Sequence, residues 1–282
     1  MAEEQITSRN IPLPIQREIR QRCGFGCVVC GLPLYEYDHV IDWSKAKTHD
    51  PNQITLLCDQ HHREKTSGLL PIEEVREAND TPFCHKNGVS KPYDLHYSGN
   101  EIEAIIGSNT YKTKCKNGTG VICPIVIDGL PLLAFYIQDN HLLLNLNIFD
   151  EFNQLVLQIV NNQLIQSRSP WDIQLVGKNL IIREAERKIL IDIKFDTPNK
   201  ITLNRGRFLF NGVEILINKE YSVITNNNTM LSGNTFENCP CGIIIGKKIS
   251  LGAGIYIENL ARYPKDRTET MKWIKECFKD RE

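Results

Sequence analysis

Long hydrophobic runs are missing from this sequence. No apolar stretch approaches the length of a membrane span, and the first thirty residues lack the charged-then-apolar layout of a signal peptide. Hydrophobic residues make up 41% of the 282 positions and charged residues 24%, which is typical of a globular protein long enough for two domains. We therefore expect a cytoplasmic protein with no membrane partner.

An excess of charge of one sign is missing too. The 33 lysines and arginines are balanced by 34 aspartates and glutamates, which gives a net charge of −1. Proteins dedicated to nucleic-acid binding are usually basic. This balance therefore leaves only local clusters of basic residues as contacts for an anionic partner.

Cysteine is abundant, yet a disulfide framework is missing. Of the ten cysteines, three belong to the metal-binding pattern described next, and the other seven show no framework spacing. An odd remainder in a chain of this size favours reduced thiols.

Two pairs of metal ligands at tight spacing are the strongest signal in the sequence. The first pair is Cys27 and Cys30, and the second is Cys58 and His61. Two residues three apart on a tight turn can point sulfur or nitrogen at one ion, and two such turns complete a tetrahedron around Zn²⁺. With no open position, the ion would be structural and would replace a core that so short a segment could not build. The alternative is a set of buried reduced cysteines and a surface histidine.

The segment around these pairs predicts a strand, a loop, a strand and a helix. Residues 34–41 and 54–57 have strand composition, and residues 59–67 fit a helix that ends at Gly68. On that helix His61 and His62 diverge by about 100°, so they cannot comfortably serve the same ion. We expect one of them to close the zinc site and the other to face the first strand.

These residues resemble the HNH endonuclease family, whose core is a ββα-metal fold stapled by zinc in many members. The resemblance covers about residues 10–75. The matching positions are Cys27, Cys30, Asp38, His39, the stretch 52–58, His61, His62 and Lys65. The family more often has cysteine as its fourth zinc ligand, but His61 keeps the tetrahedral count.

The resemblance implies a catalytic site. His39 would be the general base that takes a proton from the attacking water, and Asp38 with His62 would ligate a catalytic Mg²⁺ or Mn²⁺ that neutralises the scissile phosphate. The family's asparagine corresponds to Asn52, or to Gln53 by its usual spacing, and either amide could brace the loop that orients the base. Neighbouring strand residues point to opposite faces, so Asp38 and His39 share a site only where the strand ends, bulges or twists. Otherwise they are an ordinary polar pair at a strand end.

Basic residues near this motif are candidate contacts to nucleic acid, although each one alone is more often a solvated surface charge. Those beside the predicted site are Lys45, Lys47, Arg63 and Lys65. Those on a helix predicted over residues 11–22 are Arg17, Arg20 and Arg22.

The predicted fold class is α+β with three parts. Residues 1–80 form the zinc-bound ββα domain, residues 81–98 a linker or extended arm, and residues 99–282 a β-rich accessory domain. Short apolar segments separated by turn residues fit either a β-sandwich or a short β-solenoid. An amphipathic helix is predicted over residues 267–279.

The accessory domain shows no catalytic constellation. His96 and His141 are expected to be isolated, and Trp171, Asp172 and Arg183 to be packing and turn residues. Such a domain recognises a target, forms a homo-oligomer through exposed strand edges, or responds to an activating partner or ligand.

The sequence therefore predicts a metal-dependent endonuclease that hydrolyses phosphodiester bonds in DNA. By resemblance alone, it looks like a bacterial defence or restriction effector. The alternatives are a catalytically silent zinc-bearing module that binds nucleic acid or protein, and a nuclease directed at RNA, since the site chemistry would be the same.

Overall fold

A computed structural model describes residues 9–165, 170–247 and 249–264. Over these ranges the protein is mostly β-structure with few helices, and the helices lie in the N-terminal third. The helix predicted over residues 267–279 lies outside the described residues. The N-terminal elements are α1 (Leu13–Arg22), β1 (Glu36–His39), α2 (Trp43–Ala46), a 3-10 turn (Pro51–Gln53), β2 (Ile54–Leu57), α3 (Asp59–Thr66), α4 (Ile72–Asp80) and α5 (Phe83–Asn87).

The strands that follow are connected mainly by short turns. They are β3 (Leu95–His96), β4 (Glu101–Ile106), β5 (Asn109–Lys114), β6 (Gly120–Ile127), β7 (Leu130–Gln138), β8 (His141–Phe149), β9 (Leu155–Val160), β10 (Gln163–Ile165), β11 (Asp172–Val176), β12 (Asn179–Ala185), β13 (Lys188–Asp196), β14 (Lys200–Phe210), β15 (Val213–Ile217), β16 (Ser222–Ile224), β17 (Thr229–Leu231), β18 (Thr235–Glu237), β19 (Cys241–Ile245) and β20 (Ala253–Ile257).

The predicted order of strand, loop, strand and helix is present in the N-terminal part. β1 and β2 pair in antiparallel fashion, with His39 opposite Ile54, and α3 follows β2 directly. β1 is shorter than predicted because its paired length is limited by the four residues of β2. Every residue of β2 is buried, since the hairpin packs in a small core with Ile19, Val28 and Val75.

The segment 81–98, which we predicted to be a linker or extended arm, is a folded connector. It contains α5 and β3, and the N–H of Phe83 donates to the carbonyl of Val28 at 2.8 Å. The physical reason is apolar burial: Cys84 is fully buried, and the ring of Phe83 lies where a side chain at Gly31 would otherwise be. The polar composition of the segment gave no indication that Phe83 and Cys84 make these contacts.

The remaining strands form two sheets around one core. One sheet has the order β10-β9-β8-β7-β6-β19-β20, with β3 on β8. The other has the order β11-β12-β13-β14-β15-β16-β17, and β4, β5 and β18 join it through β14. Phe135 of the first sheet and Ile193 and Phe208 of the second belong to the same buried cluster. Two sheets that share a core are the arrangement of a β-sandwich.

Parallel stacking adds a solenoid-like feature to this sandwich. β18 pairs in parallel with β5, and β19 pairs in parallel with both β6 and β20. The rings of Tyr111 and Phe236 stack across the β5–β18 pair with centroids 4.9 Å apart. The returning chain therefore lies as a second coil on β5 and β6, as in stacked solenoid turns.

The N-terminal part is fixed to the sheets through α1 and β11. The guanidinium of Arg20 donates to both carboxylate oxygens of Asp172, and it also contacts the hydroxyl of Tyr37 on β1. Arg20 and Asp172 are 3% and 2% exposed. Burial of an ion pair is tolerated only when the two charges are paired and hydrogen-bonded, which is the case here.

This interface removes Arg20 from the candidate contacts to nucleic acid and gives Arg17 and Arg22 partners within the protein. Arg20 is buried in the ion pair, and Arg17 lies 4.2 Å above the ring of Trp171. Arg22 donates to the carbonyl groups of Pro51 and Ile54. These three side chains hold the fold together and are engaged with protein groups.

No helix among the described residues is long and apolar enough to span a membrane.

Candidate metal centre and active site

The first pair of metal ligands is shaped by a tight turn. The N–H of Gly31 donates to the carbonyl of Cys27 at 2.7 Å, and the N–H of Cys27 donates to the carbonyl of Leu32 at 2.9 Å. Gly31 has a φ of 74°, a conformation that glycine adopts without strain. The turn brings the sulfur atoms of Cys27 and Cys30 to the same side.

The second pair lies where β2 meets α3. The N–H of His62 donates to the carbonyl of Cys58 at 2.8 Å, which closes the first turn of the helix. Cys58 precedes that turn and His61 lies within it, so that Cys58 Sγ is 3.2 Å from His61 Nδ1. Both ligand pairs therefore depend on main-chain geometry that the hairpin and helix impose.

The four ligand atoms match a tetrahedral zinc site. Cys30 Sγ lies 3.8 Å from Cys58 Sγ, and Cys27 Sγ lies 3.5 Å from His61 Nδ1. Zinc bond lengths of about 2.3 Å to sulfur and 2.0 Å to nitrogen give tetrahedral edges of about 3.8 Å and 3.5 Å. All four atoms lie within 4.8 Å of one another. Cys27, Cys30, Cys58 and His61 could therefore hold a zinc-like ion.

The thiols of the cluster differ in pKa: that of Cys30 is lowered, and those of Cys27 and Cys58 are raised. A hydrogen bond from Cys27 lowers the pKa of the Cys30 thiol to about 5, and the same interaction raises the pKa of Cys27. Cys30 is thus a thiolate at neutral pH, and the thiolate is the form that ligates zinc.

A second group of polar side chains joins β1 to α3. Asp38 Oδ1 lies 3.3 Å from His62 Nε2, and Asp38 Oδ2 lies 2.5 Å from Lys65 Nζ. Lys65 also donates to the carbonyl oxygen of His39. Glu36 lies two residues before Asp38, on the same face of the strand, and its carboxylate is 3.6 Å from His62 Nδ1. His61 contributes to the Cys/His cluster, and His62 contributes to this group.

His39 contacts a different element from Asp38. Its ring lies against Trp43 of α2, with centroids 5.0 Å apart, and Trp43 in turn stacks on His49 at 5.1 Å. His39 is 6% exposed, and its Nε2 is buried without a hydrogen-bond partner. The loop between β1 and β2 therefore covers the imidazole.

Burial lowers the pKa of His39, while a hydrogen bond to the backbone of Thr48 acts in the opposite direction. Because Nε2 has no partner, this bond is made through Nδ1. Donation from Nδ1 leaves a lone pair on Nε2, which is the tautomer a general base needs. The group is a neutral imidazole with one nitrogen free to accept a proton.

Asn52 and Gln53 lie at the other end of the loop. The side-chain amide of Asn52 donates to Asp50 Oδ1 at 3.1 Å, and Asn52 borders an open cavity of about 700 Å³. The carbonyl of Gln53 accepts from the N–H of Val40 at 2.9 Å. Among the described contacts, the main chain of Gln53 is thus what braces the residue after His39. The predicted contact residues Lys45, Lys47 and Arg63 are exposed, whereas Lys65 is engaged by Asp38.

Sequence reasoning missed several neighbours of the site. Trp43 and His49 lie in a loop without a periodic pattern, so nothing indicated that they cover His39. Likewise His96 and His141 were expected to be isolated, and that prediction is wrong, since they are cross-strand partners with ring centroids 5.6 Å apart. Such pairs depend on strand register, which the local sequence does not reveal.

Comparison with known proteins assigns no family to this geometry. No protein-family model, no curated protein and no solved structure matches the chain significantly.

Proposed function

We propose that the protein is a metal-dependent endonuclease of the HNH type that hydrolyses phosphodiester bonds in DNA. The observation that carries the proposal is the neutral imidazole of His39, with a free Nε2, on the residue next to Asp38. Asp38 in turn lies 3.3 Å from His62 on the following helix. A base next to a carboxylate and imidazole pair suits hydrolysis assisted by a cation.

The Cys/His cluster has a structural role in this proposal. Its four ligands fill a tetrahedron, so a zinc ion there has no position left for water or substrate. The cluster joins the turn that carries Cys27 and Cys30 to the start of α3. It therefore sets the position of His62 relative to β1 without taking part in the reaction.

The reaction follows from the roles of three side chains. His39 accepts a proton from the attacking water at Nε2, while the backbone of Thr48 holds the other ring nitrogen. Asp38 and His62 would hold Mg²⁺ or Mn²⁺, which when bound neutralises charge on the scissile phosphate and the leaving oxygen. Lys65 fixes the second oxygen of Asp38, so the first oxygen is aimed at His62.

The substrate approaches a chain with little positive charge overall. Lys45, Lys47 and Arg63 are exposed around the site and provide local positive potential. We assign target recognition, self-association or the response to an activating partner to the β sheets. The resemblance noted above favours a bacterial defence effector acting in the cytoplasm.

One observation favours a second candidate, a catalytically silent zinc-bearing module that binds nucleic acid or protein. The Nε2 atom of His39 is covered by the loop that carries Trp43, and Asp38 is neutralised by Lys65. A module without activity would keep these contacts. An endonuclease must open the loop.

The test is cleavage of supercoiled plasmid by zinc-loaded protein with Mg²⁺, with Mn²⁺, or with no divalent cation added. Wild type should nick the plasmid only with a cation, and His39→Ala should lower the rate by about 10²–10⁴-fold, the usual contribution of a general base. His85→Ala is the matched control, because His85 is exposed on α5. The same assay with an RNA substrate tests the alternative that the protein is a nuclease directed at RNA. Equal nicking by wild type and His39→Ala would refute the assignment of the base, and nicking by neither would favour the silent module.

A further inference from the structure

His96 and His141 face each other across two antiparallel strands. β3 pairs with β8 so that His96 lies directly opposite His141. The N–H of Tyr97 donates to the carbonyl of Asn140, at the next pair along. The two histidines therefore occupy the non-hydrogen-bonded position of the ladder, where opposing side chains lie closest.

The spacing of the two rings suits a shared metal ion. Their centroids are 5.6 Å apart, and the ring planes are tilted by 41°. Two imidazoles that bind one ion through bonds of about 2.0 Å at a tetrahedral to trigonal angle have centroids roughly 5.2–5.5 Å apart. The observed separation is close to this range, and small side-chain rotations close the difference.

The pair is also accessible and chemically specific. His96 is exposed and His141 is half-buried on the outward face of β8, whose inward residues alternate into the core. Imidazole ligands select Zn²⁺, Ni²⁺ or Cu²⁺ over Mg²⁺ and Ca²⁺, which prefer oxygen. Water fills the remaining coordination positions at such a surface site.

We propose that His96 and His141 form a second metal site, separate from the Cys/His cluster, for a divalent transition-metal ion. The ion would join two parts of the chain, because β3 belongs to the connector and β8 to the sheet. β3 is only two residues long. A bound ion thus fixes the connector on the sandwich, and the connector in turn contacts the turn that carries Cys27 and Cys30.

The test is titration of the zinc-loaded full chain with Ni²⁺, followed by calorimetry. Wild type should bind Ni²⁺ at this site, and both His96→Gln and His141→Gln should lose that binding event. His85→Gln removes an exposed histidine elsewhere and should bind as wild type does. His62→Gln removes the proposed catalytic ligand, so it separates Ni²⁺ bound beside Asp38 from Ni²⁺ bound at this pair.

Melting temperature gives a second readout, because an ion that binds only the folded pair stabilises the folded state. Ni²⁺ should raise the melting temperature of wild type and His85→Gln more than that of His96→Gln or His141→Gln. Unchanged Ni²⁺ uptake in both single variants would overturn the site. Loss in one variant alone would show that the two histidines do not act together. Neither result depends on whether the protein cleaves DNA.

Discussion

The guanidinium of Arg20 donates two hydrogen bonds to the carboxylate of Asp172, at 2.7 Å and 2.8 Å, across 152 residues of sequence. Arg183 approaches the same carboxylate at 3.3 Å. Arg20 also contacts Tyr37, which lies next to Asp38 on β1. Arg20 and Tyr37 thus link Asp172 of β11 to β1, the strand that carries the candidate base.

Asp172→Ala should reduce the free energy of unfolding by about 3–5 kcal/mol, because it leaves the buried Arg20 without its charged partner. Denaturation by guanidinium measures the loss. Asp196→Ala is the control, since its pair with Lys194 is partly exposed and such pairs contribute about 1 kcal/mol or less. Equal losses in the two variants would show that the link does not stabilise the fold.

Cys58→Ser should lower the zinc content by one ion per chain and also lower the melting temperature, because binding of a structural zinc contributes directly to folding. Elemental analysis of purified protein measures the zinc. Cys239→Ser changes a cysteine outside the cluster and should keep the metal. Full zinc content in Cys58→Ser would rule out the proposed ligand set.

His61→Ala and His62→Ala should have opposite effects on the two proposed ions. His61→Ala removes a ligand of the Cys/His cluster and should lose zinc. His62→Ala should keep zinc and lose the Mn²⁺-dependent cleavage, because His62 lies beside Asp38. Zinc loss in His62→Ala would contradict this division of roles.

Trp43→Ala should expose His39 to diethyl pyrocarbonate, which modifies unprotonated imidazole. In wild type the ring is covered, so peptide mapping should find His85 modified well before His39. Trp171→Ala, at the α1 contact, should leave His39 protected. Rapid modification of His39 in wild type would mean that the loop does not cover the base in solution.

The lowered pKa of His39 predicts a pH-dependent stability in protein free of added divalent cation. Above about pH 6.5 the imidazole is neutral in both the folded and unfolded states, so its contribution is fully present. As pH falls below that value, the unfolded state binds a proton first, and the contribution is lost until the folded pKa is reached. The free energy of unfolding of wild type should therefore fall more steeply below pH 6.5 than that of His39→Gln. Parallel curves would contradict the burial effect.

Local spacing accounts for what could be predicted from the sequence. Cys27, Cys30, Cys58 and His61 lie on turns that neighbouring residues define, and their cluster was predicted in full. The strands β1 and β2 and the helix α3 were predicted for the same reason, since each depends on a few adjacent residues.

Long-range partners account for what could not be predicted. Arg20 has the sequence pattern of an exposed helical arginine, and only Asp172, far along the chain, makes it a buried residue. His96 and His141 are separated by more than forty residues and meet only through the register of β3 and β8. The sequence was compatible with both a β-sandwich and a β-solenoid, because alternation within a strand does not reveal which strand lies beside it.

The stacking of β19 on β6 has a consequence for synthesis of the chain. β6 can pair with β7 as soon as the next few residues have been synthesised. Its other edge stays unpaired until β19 has been synthesised, more than one hundred residues later. A nascent or truncated chain that stops before residue 241 therefore presents the open edge of a largely apolar strand. Open edges of this kind pair with other chains. β19 thus protects the sandwich from aggregation, and a chain that stops before residue 241 should be recovered mainly as insoluble material.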